Sequence, residues 1–182
     1  PINLLNILRP YMPKNYSNDL KIISKKIDWI GVNYYTRTIV KKDNNEKYFG
    51  FKALKGNLPK TDMGWEIYPE GLTEVIMKLK KNYSKKTPIY ITENGMAHKE
   101  TFENGKVVDI ERINFYEKHL KEIKQLLNKG VPLRGFFAWS LLDNFEWAYG
   151  YSKRFGLIYV DFESLKRTPK SSWFEFKKVL NK

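Results

Sequence analysis

The sequence contains no cysteine, only two histidines and no long apolar run. Without cysteine the chain has neither a disulfide framework nor a thiolate metal site, and two isolated histidines do not make a zinc cluster by themselves. No stretch approaches the ~20 apolar residues of a membrane span, and none resembles a secretory signal peptide. We therefore expect no metal, no cofactor and no membrane partner. The absence of cysteine fits our expectation of a cytoplasmic protein but does not exclude export.

The chain begins with Pro1 rather than Met. We therefore expect either a processed chain or a piece of a longer protein. Its 182 residues suffice for one domain with a hydrophobic core. The sequence has no internal repeat, low-complexity tract or interdomain linker, so it predicts one domain over residues 1–182.

Acidic residues are few relative to basic ones, 20 against 33, which gives a net charge of +13. A charge of this size suggests nucleic-acid binding. The lysines, however, are scattered or lie on polar helix faces, and no arginine-rich arm or RNP-like motif accompanies them. A lysine-rich solvated surface is the better interpretation, and we predict no nucleic-acid partner.

The segment Pro88–Gly95 predicts the strand around which the chain is organised. Residues Ile89–Thr92 are all β-branched or aromatic, which is typical of a strand buried on both faces of a parallel sheet. Asn94 and Gly95 tolerate positive φ and would end it. Glu93 would then lie at the carboxyl end of the strand, where α/β proteins bind their ligands. It is a candidate catalytic group, although a glutamate that only caps the next loop fits the segment equally well.

Two further apolar runs predict parallel strands, over Ile27–Tyr35 and Leu133–Ser140. The first would bring Asn33 and Tyr35 to the same rim as Glu93, because alternate residues of a strand share a face. Apolar residues at helical spacing predict three helices, over about Glu70–Asn82, Asp109–Asn128 and Ser171–Leu180. The order β-α-β-α-β-α predicts a parallel α/β fold.

The remaining segments have weaker patterns. Pro1–Asn18 lacks a sustained period and is expected to lie over the surface, with a short helix over Leu20–Ser24 following it. Residues 36–63 are polar and without helical period, so we expect a lid or binding loop there. Leu157–Phe162 is predicted to pair with Lys166–Thr168 as a hairpin.

Four stretches together resemble glycoside hydrolase family 1, the β-glucosidase and β-galactosidase family built on a TIM (β/α)8 barrel. They follow the family's order and spacing: Asp28–Tyr35 (Asp-Trp-Ile-Gly-Val-Asn-Tyr-Tyr), Met63–Gly71 (Met-Gly-Trp-Glu-Ile-Tyr-Pro-Glu-Gly), Ile91–Gly95 (Ile-Thr-Glu-Asn-Gly), and Trp139–Trp147 (Trp-Ser-Leu-Leu-Asp-Asn-Phe-Glu-Trp) continued by Tyr151–Gly156. The resemblance spans about Asp19 to the end of the chain. It implies an α/β fold that corresponds to about the last three βα units of the barrel.

The resemblance also implies a retaining β-glycosidase in which Glu93 is the nucleophile and forms a covalent glycosyl-enzyme. Tyr35 would donate a hydrogen bond to Glu93 and keep it ionised. Trp65 would be the platform for the aglycone. Five further residues would contact the non-reducing sugar: Asn33 in the subsite of the nucleophile, Trp139 beneath the ring, Phe155 in the wall, and Glu146 with Trp147 at the hydroxyls and the ring face.

One part of the family's machinery is missing, because the acid/base glutamate lies in an Asn-Glu-Pro motif that this chain lacks. A TIM barrel also needs eight strands and typically ~250 residues. We therefore expect the nucleophile half of a β-glucoside or β-galactoside hydrolase, inactive alone and in need of the complementary N-terminal part of the barrel. The alternative is a non-catalytic sugar-binding or assembly module derived from such an enzyme. A third reading, a member acting on 6-phosphoglycosides, ranks low, since those members carry serine where Glu146 stands. The choice between glucose and galactose stays open.

Overall fold

The structure is a computed structural model that describes residues 2–46 and 49–181. The chain divides into two compact units, one made of Pro1–Asp28 and Thr38–Lys55, the other of Trp29–Arg37 and Gly56–Lys182. The single domain expected from the sequence stays a prediction. Among the described residues, no helix combines the length and the apolar character that crossing a lipid bilayer requires.

Within the described ranges, three groups of three strands are each followed by a helix, and two helices precede them. In order the elements are α1 (Ile2–Leu8), α2 (Tyr16–Ile23), β1 (Ile30–Asn33), β2 (Ile39–Lys42), β3 (Phe51–Leu54), α3 (Glu70–Asn82), β4 (Ile89–Asn94), β5 (Phe102–Glu103), β6 (Lys106–Val107), α4 (Ile110–Asn128), β7 (Leu133–Ala138), β8 (Ile158–Val160), β9 (Arg167–Pro169) and α5 (Ser171–Leu180).

The first unit differs most from the sequence prediction. Two helices, α1 and α2, occupy a segment for which only a short helix over Leu20–Ser24 is expected. The polar segment after Tyr35, predicted as an irregular lid, contains the antiparallel hairpin β2–β3, in which Ile39 pairs with Leu54. All four residues of β3 are exposed, so the strand lacks the alternation of apolar and polar residues by which a half-buried strand is recognised.

The second unit is built on a parallel sheet of three strands in the order β1-β4-β7. The helix-facing side of the sheet packs against α3 and α4 through a core of buried aliphatic residues, among them Val32, Leu72, Ile76, Ile89, Ile91, Leu126 and Leu133. Each parallel strand is followed by a helix, as the apolar periodicity predicts. The sheet therefore brings the carboxyl ends of all three strands to one edge.

The two outer strands, β1 and β7, are shorter than the apolar runs that predict them, whereas β4 continues past Thr92 to Asn94. The first strand begins at Ile30 instead of Ile27, because Trp29 lies outside the ladder with its ring edge against Tyr90, at 5.5 Å between centroids. β7 ends at Ala138, two residues before the predicted end at Ser140.

The three long helices have the predicted extents. α4 is preceded by Asp109 and followed by Gly130, whose φ of +66° ends the helix in the expected way. Asp109 occupies the N-cap position, but its carboxylate makes no capping bond and accepts hydrogen bonds from Ser172 instead. The predicted hairpin near the end of the chain is present as β8–β9, with Tyr159 paired to Thr168.

Candidate active site

Glu93 lies at the carboxyl end of the central strand, and a β-bulge sets the direction of its side chain. Val32 pairs with Ile91, yet the next residue of β1, Asn33, pairs with Glu93, so β4 has one extra residue, Thr92. Strict alternation would turn Glu93 toward the helices, as Ile91 is turned. The bulge instead places Glu93 on the face that Asn33 shares.

Tyr35 follows β1 and reaches Glu93 across the sheet. Its hydroxyl donates a hydrogen bond of 2.7 Å to Oε2 of Glu93. Burial, and then this bond and the negative charge of Glu93, raise the pKa of Tyr35 above its ordinary value, so the hydroxyl keeps its proton and remains a donor. The pair joins the two residues that the sequence analysis proposes as catalytic.

Two aromatic rings, those of Trp65 and Phe155, pack beside this pair. Tyr35 lies edge-on to Trp65 at 5.5 Å and to Phe155 at 6.2 Å between centroids. Trp65 and Phe155 are 6.3 Å apart, and Phe155 is only 2% exposed. The structure thus brings together two predicted aromatic contacts around the tyrosine that bonds to Glu93: Trp65 from the segment before α3, and Phe155 from the segment after β7.

Trp65 is held through its neighbour Glu66. The carboxylate of Glu66 is buried and pairs with Arg37 at 2.8 Å, while it also accepts a hydrogen bond from the backbone of Leu58. The hydroxyl of Thr36 donates to the carbonyl of Glu66 at 2.8 Å. The bond from Arg37 and the one from Leu58 lower the pKa of Glu66. The segment that carries Tyr35 is therefore tied to the segment that carries Trp65.

A second carboxylate, that of Glu146, lies within electrostatic reach of Glu93. Burial raises the pKa of Glu146; a hydrogen bond from the Trp139 indole opposes that change, and the charge of Glu93 adds to it. Trp139 follows directly after β7, and its amide donates to the carbonyl of Asn94 at 2.8 Å. Trp139 thus connects the end of the central strand to Glu146.

Two predicted site residues are less enclosed. Asn33 is exposed, and its side-chain oxygen accepts a 2.6 Å hydrogen bond from the hydroxyl of Thr92. Trp147 begins a short 3-10 turn, Trp147–Tyr149, and is 82% exposed. In the described part of the chain, Trp147 is not one of the rings that pack around Tyr35, so the structure places it at the margin of the site.

Sequence reasoning missed a cluster of buried charges behind the site. It consists of three carboxylates and three cations joined by ion pairs: Glu100, Asp109 and Asp143 with Arg112, Arg154 and Lys170. Lys170 and Glu100 are 70 positions apart in the sequence. Each residue alone is an ordinary charge in a polar loop or at a helix end, so no local pattern signals the cluster.

The sequence matches one family along nearly its whole length. The profile of the family described as Glycosyl hydrolase family 1 matches residues 5–182. The protein named 1,4-beta-D-glucan glucohydrolase of Thermotoga neapolitana is 44% identical over 99% of this chain and 40% of its own length. The protein named 6-phospho-beta-galactosidase of Clostridium acetobutylicum is 39% identical over 91% of this chain and 40% of its own.

Solved structures agree with the sequence matches. The family 1 β-glucosidase of Thermotoga maritima superposes with a TM-score of 0.92 at 43% identity, over 98% of this chain and 40% of that one. The same enzyme in complex with glucoimidazole superposes with a TM-score of 0.92 over 100% of this chain and 40% of that one. The chain spans about 40% of the length of the curated relatives it matches. On the strength of the profile match and these identities, the chain belongs to glycosyl hydrolase family 1.

Proposed function

We propose that the protein to which this chain belongs is a retaining β-glycosidase of the β-glucosidase or β-galactosidase type, with Glu93 as its nucleophile. The observation that carries this proposal is the 2.7 Å hydrogen bond from Tyr35 to Glu93 at the carboxyl end of the central strand. The bond fixes the orientation of the Glu93 carboxylate, and attack on a sugar requires a carboxylate held in a fixed orientation.

The reaction would proceed in two steps. In the first, an oxygen of Glu93 attacks the anomeric carbon, the glycosidic C–O bond breaks, and a second carboxyl group gives its proton to the departing oxygen. In the second, that group takes a proton from water, the water oxygen bonds to the anomeric carbon, and Glu93 leaves as a carboxylate. The two carboxyl groups would lie ~5–5.5 Å apart.

The second carboxyl group would come from outside this chain. The family's acid/base glutamate lies in an Asn-Glu-Pro motif, and these 182 residues contain none. Glu146 is the other carboxylate near Glu93, but its bond from the Trp139 indole suits a group that accepts hydrogen bonds from sugar hydroxyls. We assign Glu146 to sugar binding, together with Asn33, Trp139, Trp147 and Phe155.

An unphosphorylated sugar is the substrate that the site favours. A carboxylate at Glu146 accepts hydrogen bonds from two hydroxyls but repels a phosphate dianion. Two of the similar proteins are named for glucan or glucoside hydrolysis and one for 6-phospho-β-galactoside hydrolysis. The charge of Glu146 is our reason to prefer unphosphorylated glucosides over 6-phosphoglycosides as substrates.

The strand edges support a role for a complementary N-terminal part. Among the described residues, β1 and β7 are the outer strands of the parallel sheet, and each leaves one edge unpaired. Beside β7, the residues Phe137, Leu141 and Leu180 line a groove of about 380 Å³ and are mostly exposed. Open edges and exposed apolar side chains favour association. We propose that these edges pair with the strands that complete a TIM barrel.

The proposal is tested by assaying an aryl β-glucoside with the purified chain, first alone and then with the N-terminal part of a family 1 β-glucosidase added in trans. We expect no turnover alone, because general acid catalysis contributes ~10²–10⁴-fold and its donor is missing. Reconstituted activity that a 2-fluoro glucoside abolishes by labelling Glu93 would support the assignment. Turnover by the lone chain that vanishes in Glu93→Gln would contradict the need for a complement. Sugar binding without turnover in the reconstituted protein would instead favour the non-catalytic module.

A further inference from the structure

Asp143 is the centre of the buried charge cluster behind the sugar site. It lies in the loop after β7 and is 4% exposed. Its two oxygens accept four hydrogen bonds, from Lys170 at 2.8 Å, Arg154 at 2.7 Å, the Gly156 amide at 2.9 Å and the Val160 amide at 3.3 Å. Loss of this carboxylate would remove one of the two anions paired with the fully buried Lys170, whose other partner is Glu100, and the anion paired with Arg154.

Three of the four donors lie where the chain returns from the loop of residues 141–156. Arg154 and Gly156 end that loop and Val160 ends β8, so Asp143 joins the start of the loop to its end. The two parts are also paired through their backbones, with the Asp143 amide donating to Ile158 at 3.1 Å and Ser140 donating to Phe155 at 3.2 Å. They approach so closely that a Cβ on Gly156 would lie 2.2 Å from the amide nitrogen of Asp143. The carboxylate therefore governs the shape of residues 141–156.

This loop carries residues of the proposed sugar site. Glu146 lies three positions after Asp143 in the sequence, and Phe155 lies between two of the donors, Arg154 and Gly156. Phe155 in turn packs against Tyr35, the residue that holds Glu93. Displacement of the loop would therefore move the sugar contacts and leave the Tyr35–Glu93 bond, which belongs to β1 and β4, in place.

The far side of the cluster is anchored in the helices. Lys170, which precedes α5, bridges Asp143 and Glu100, and Glu100 also pairs with Arg112 in α4. The side chains of Lys170, Glu100 and Arg112 are fully buried. The loop is thus attached to the starts of α4 and α5, two elements packed against each other.

We propose that Asp143 is a positioning residue for sugar binding, which acts by holding residues 141–156 and itself touches no substrate. The inference rests on the proposed function, because it assigns the loop to the glycone side of that site. It predicts an effect on sugar affinity that a purely stabilising residue would not have. The loss of Asp143 should weaken binding of the sugar in the ground state and leave the chemical step nearly intact.

The matched control is Ser172, which hydrogen-bonds to Asp109 of the cluster and lies outside the loop. Its hydroxyl donates to Asp109 at 2.6 Å, and it is 1% exposed. Ser172→Ala therefore removes a buried hydrogen bond of the cluster and leaves the bonds of Asp143 in place. It should lower the unfolding temperature without altering sugar binding.

The experiment compares Asp143→Asn and Ser172→Ala in the complete enzyme, well below both unfolding temperatures. KM and kcat are measured with an aryl β-glucoside, and the dissociation constant of glucoimidazole is measured by calorimetry. We expect Asp143→Asn to raise KM and the dissociation constant at least tenfold with less than a threefold loss in kcat, and Ser172→Ala to change each less than twofold. Equal constants in the two variants would overturn the proposal.

Two further measurements keep the test decisive. If Asp143→Asn does not fold, Arg154→Met removes the donor to Asp143 at a side chain that is 20% exposed and should raise KM about threefold; an unchanged KM would overturn the proposal. Hydrogen exchange of amides 144–152 needs no activity and should be faster in Asp143→Asn than in Ser172→Ala. Unchanged exchange would refute the positioning role, whereas faster exchange in a protein that binds no sugar would refute the proposed function alone.

Discussion

The carbonyl oxygen of Trp139 lies 1.8 Å from the position that a Cβ atom would take on Gly95. Gly95 follows the central strand, and Trp139 follows β7, so the two strands leave the sheet in contact at this point. The glycine is required for this close approach and not for a positive φ, which neither Asn94 nor Gly95 adopts.

Gly95→Ala should therefore destabilise the protein. The new methyl group would displace backbone, which cannot rotate away as a side chain can, and overpacking of this kind costs about 3 kcal/mol. Urea unfolding of the complete protein measures the change. Gly105→Ala is the control: nothing lies within 4 Å of its Cβ, and only its φ of +75° opposes the substitution. An equal loss in both variants would argue against the contact as the cause.

Tyr35→Phe should lower kcat/KM by about 10- to 100-fold in the complete enzyme, because a hydrogen bond to a charged group contributes about 1.5–3 kcal/mol. The neighbouring residue provides the control. The hydroxyl of Tyr34 donates to the carbonyl of Tyr68, away from Glu93, so Tyr34→Phe should cost stability and leave kcat/KM unchanged. If both variants lose activity alike, the bond to Glu93 is not what matters.

Glu146→Ser should weaken turnover of aryl β-glucosides at least tenfold, mainly through KM. The substitution removes a charged acceptor of sugar hydroxyls, for a loss of about 1.5–3 kcal/mol. Steady-state kinetics with substrates of good and poor leaving groups provide the measurement. A loss confined to poor leaving groups, rescued by azide, would show that Glu146 is the acid/base group instead.

Glu93→Gln should lower the pKa of Glu146. Burial is the main reason that this pKa is raised, and the charge of Glu93 adds to it. Removal of that charge leaves burial, opposed by the hydrogen bond from Trp139, so the carboxyl of Glu146 should ionise at lower pH in the variant. Carbon-13 NMR titration of the glutamate carboxyls measures both proteins. An unchanged titration of Glu146 would mean that the two carboxylates are not coupled.

His119 should make the stability of the protein depend on pH. Its ring is fully buried in α4, 4.0 Å from the ring of Phe115, and burial lowers the pKa of His119 from 6.5 to about 4. Between these values only the unfolded chain binds the proton. The contribution of the neutral His119 to the free energy of unfolding is therefore fully present above about pH 6.5. It should be lost as the pH falls toward 4, which lowers the free energy of unfolding by up to about 3 kcal/mol.

The check is the difference in unfolding free energy between pH 7 and pH 4.5, compared for the wild type and His119→Gln. The decrease in unfolding free energy from pH 7 to pH 4.5 should be smaller in His119→Gln than in the wild type. His98→Gln serves as the control, because that side chain is partly exposed beside Glu111 and the variant retains His119. A decrease of the same size in wild type and His119→Gln would assign it to other groups.

The secondary structure was predictable where one physical signal dominates. α3, α4 and α5 follow from apolar residues at helical spacing, because each helix buries one face against the sheet or its neighbour. The hairpin β2–β3 was not, since its residues are largely exposed and no buried face imposes alternation. The pattern of apolar and polar residues along a segment therefore predicts its secondary structure only where one face of the segment is buried.

The sequence by itself determined the order of the parallel strands and helices, the position of Glu93 at a strand end, and membership of the family. Only the tertiary structure decided that the bulge at Thr92 turns Glu93 toward Tyr35, and that Asp143 gathers donors from three parts of the chain. These features depend on register between strands and on contacts between residues distant in sequence. Such contacts form when the elements pack, and no local run of residues encodes them.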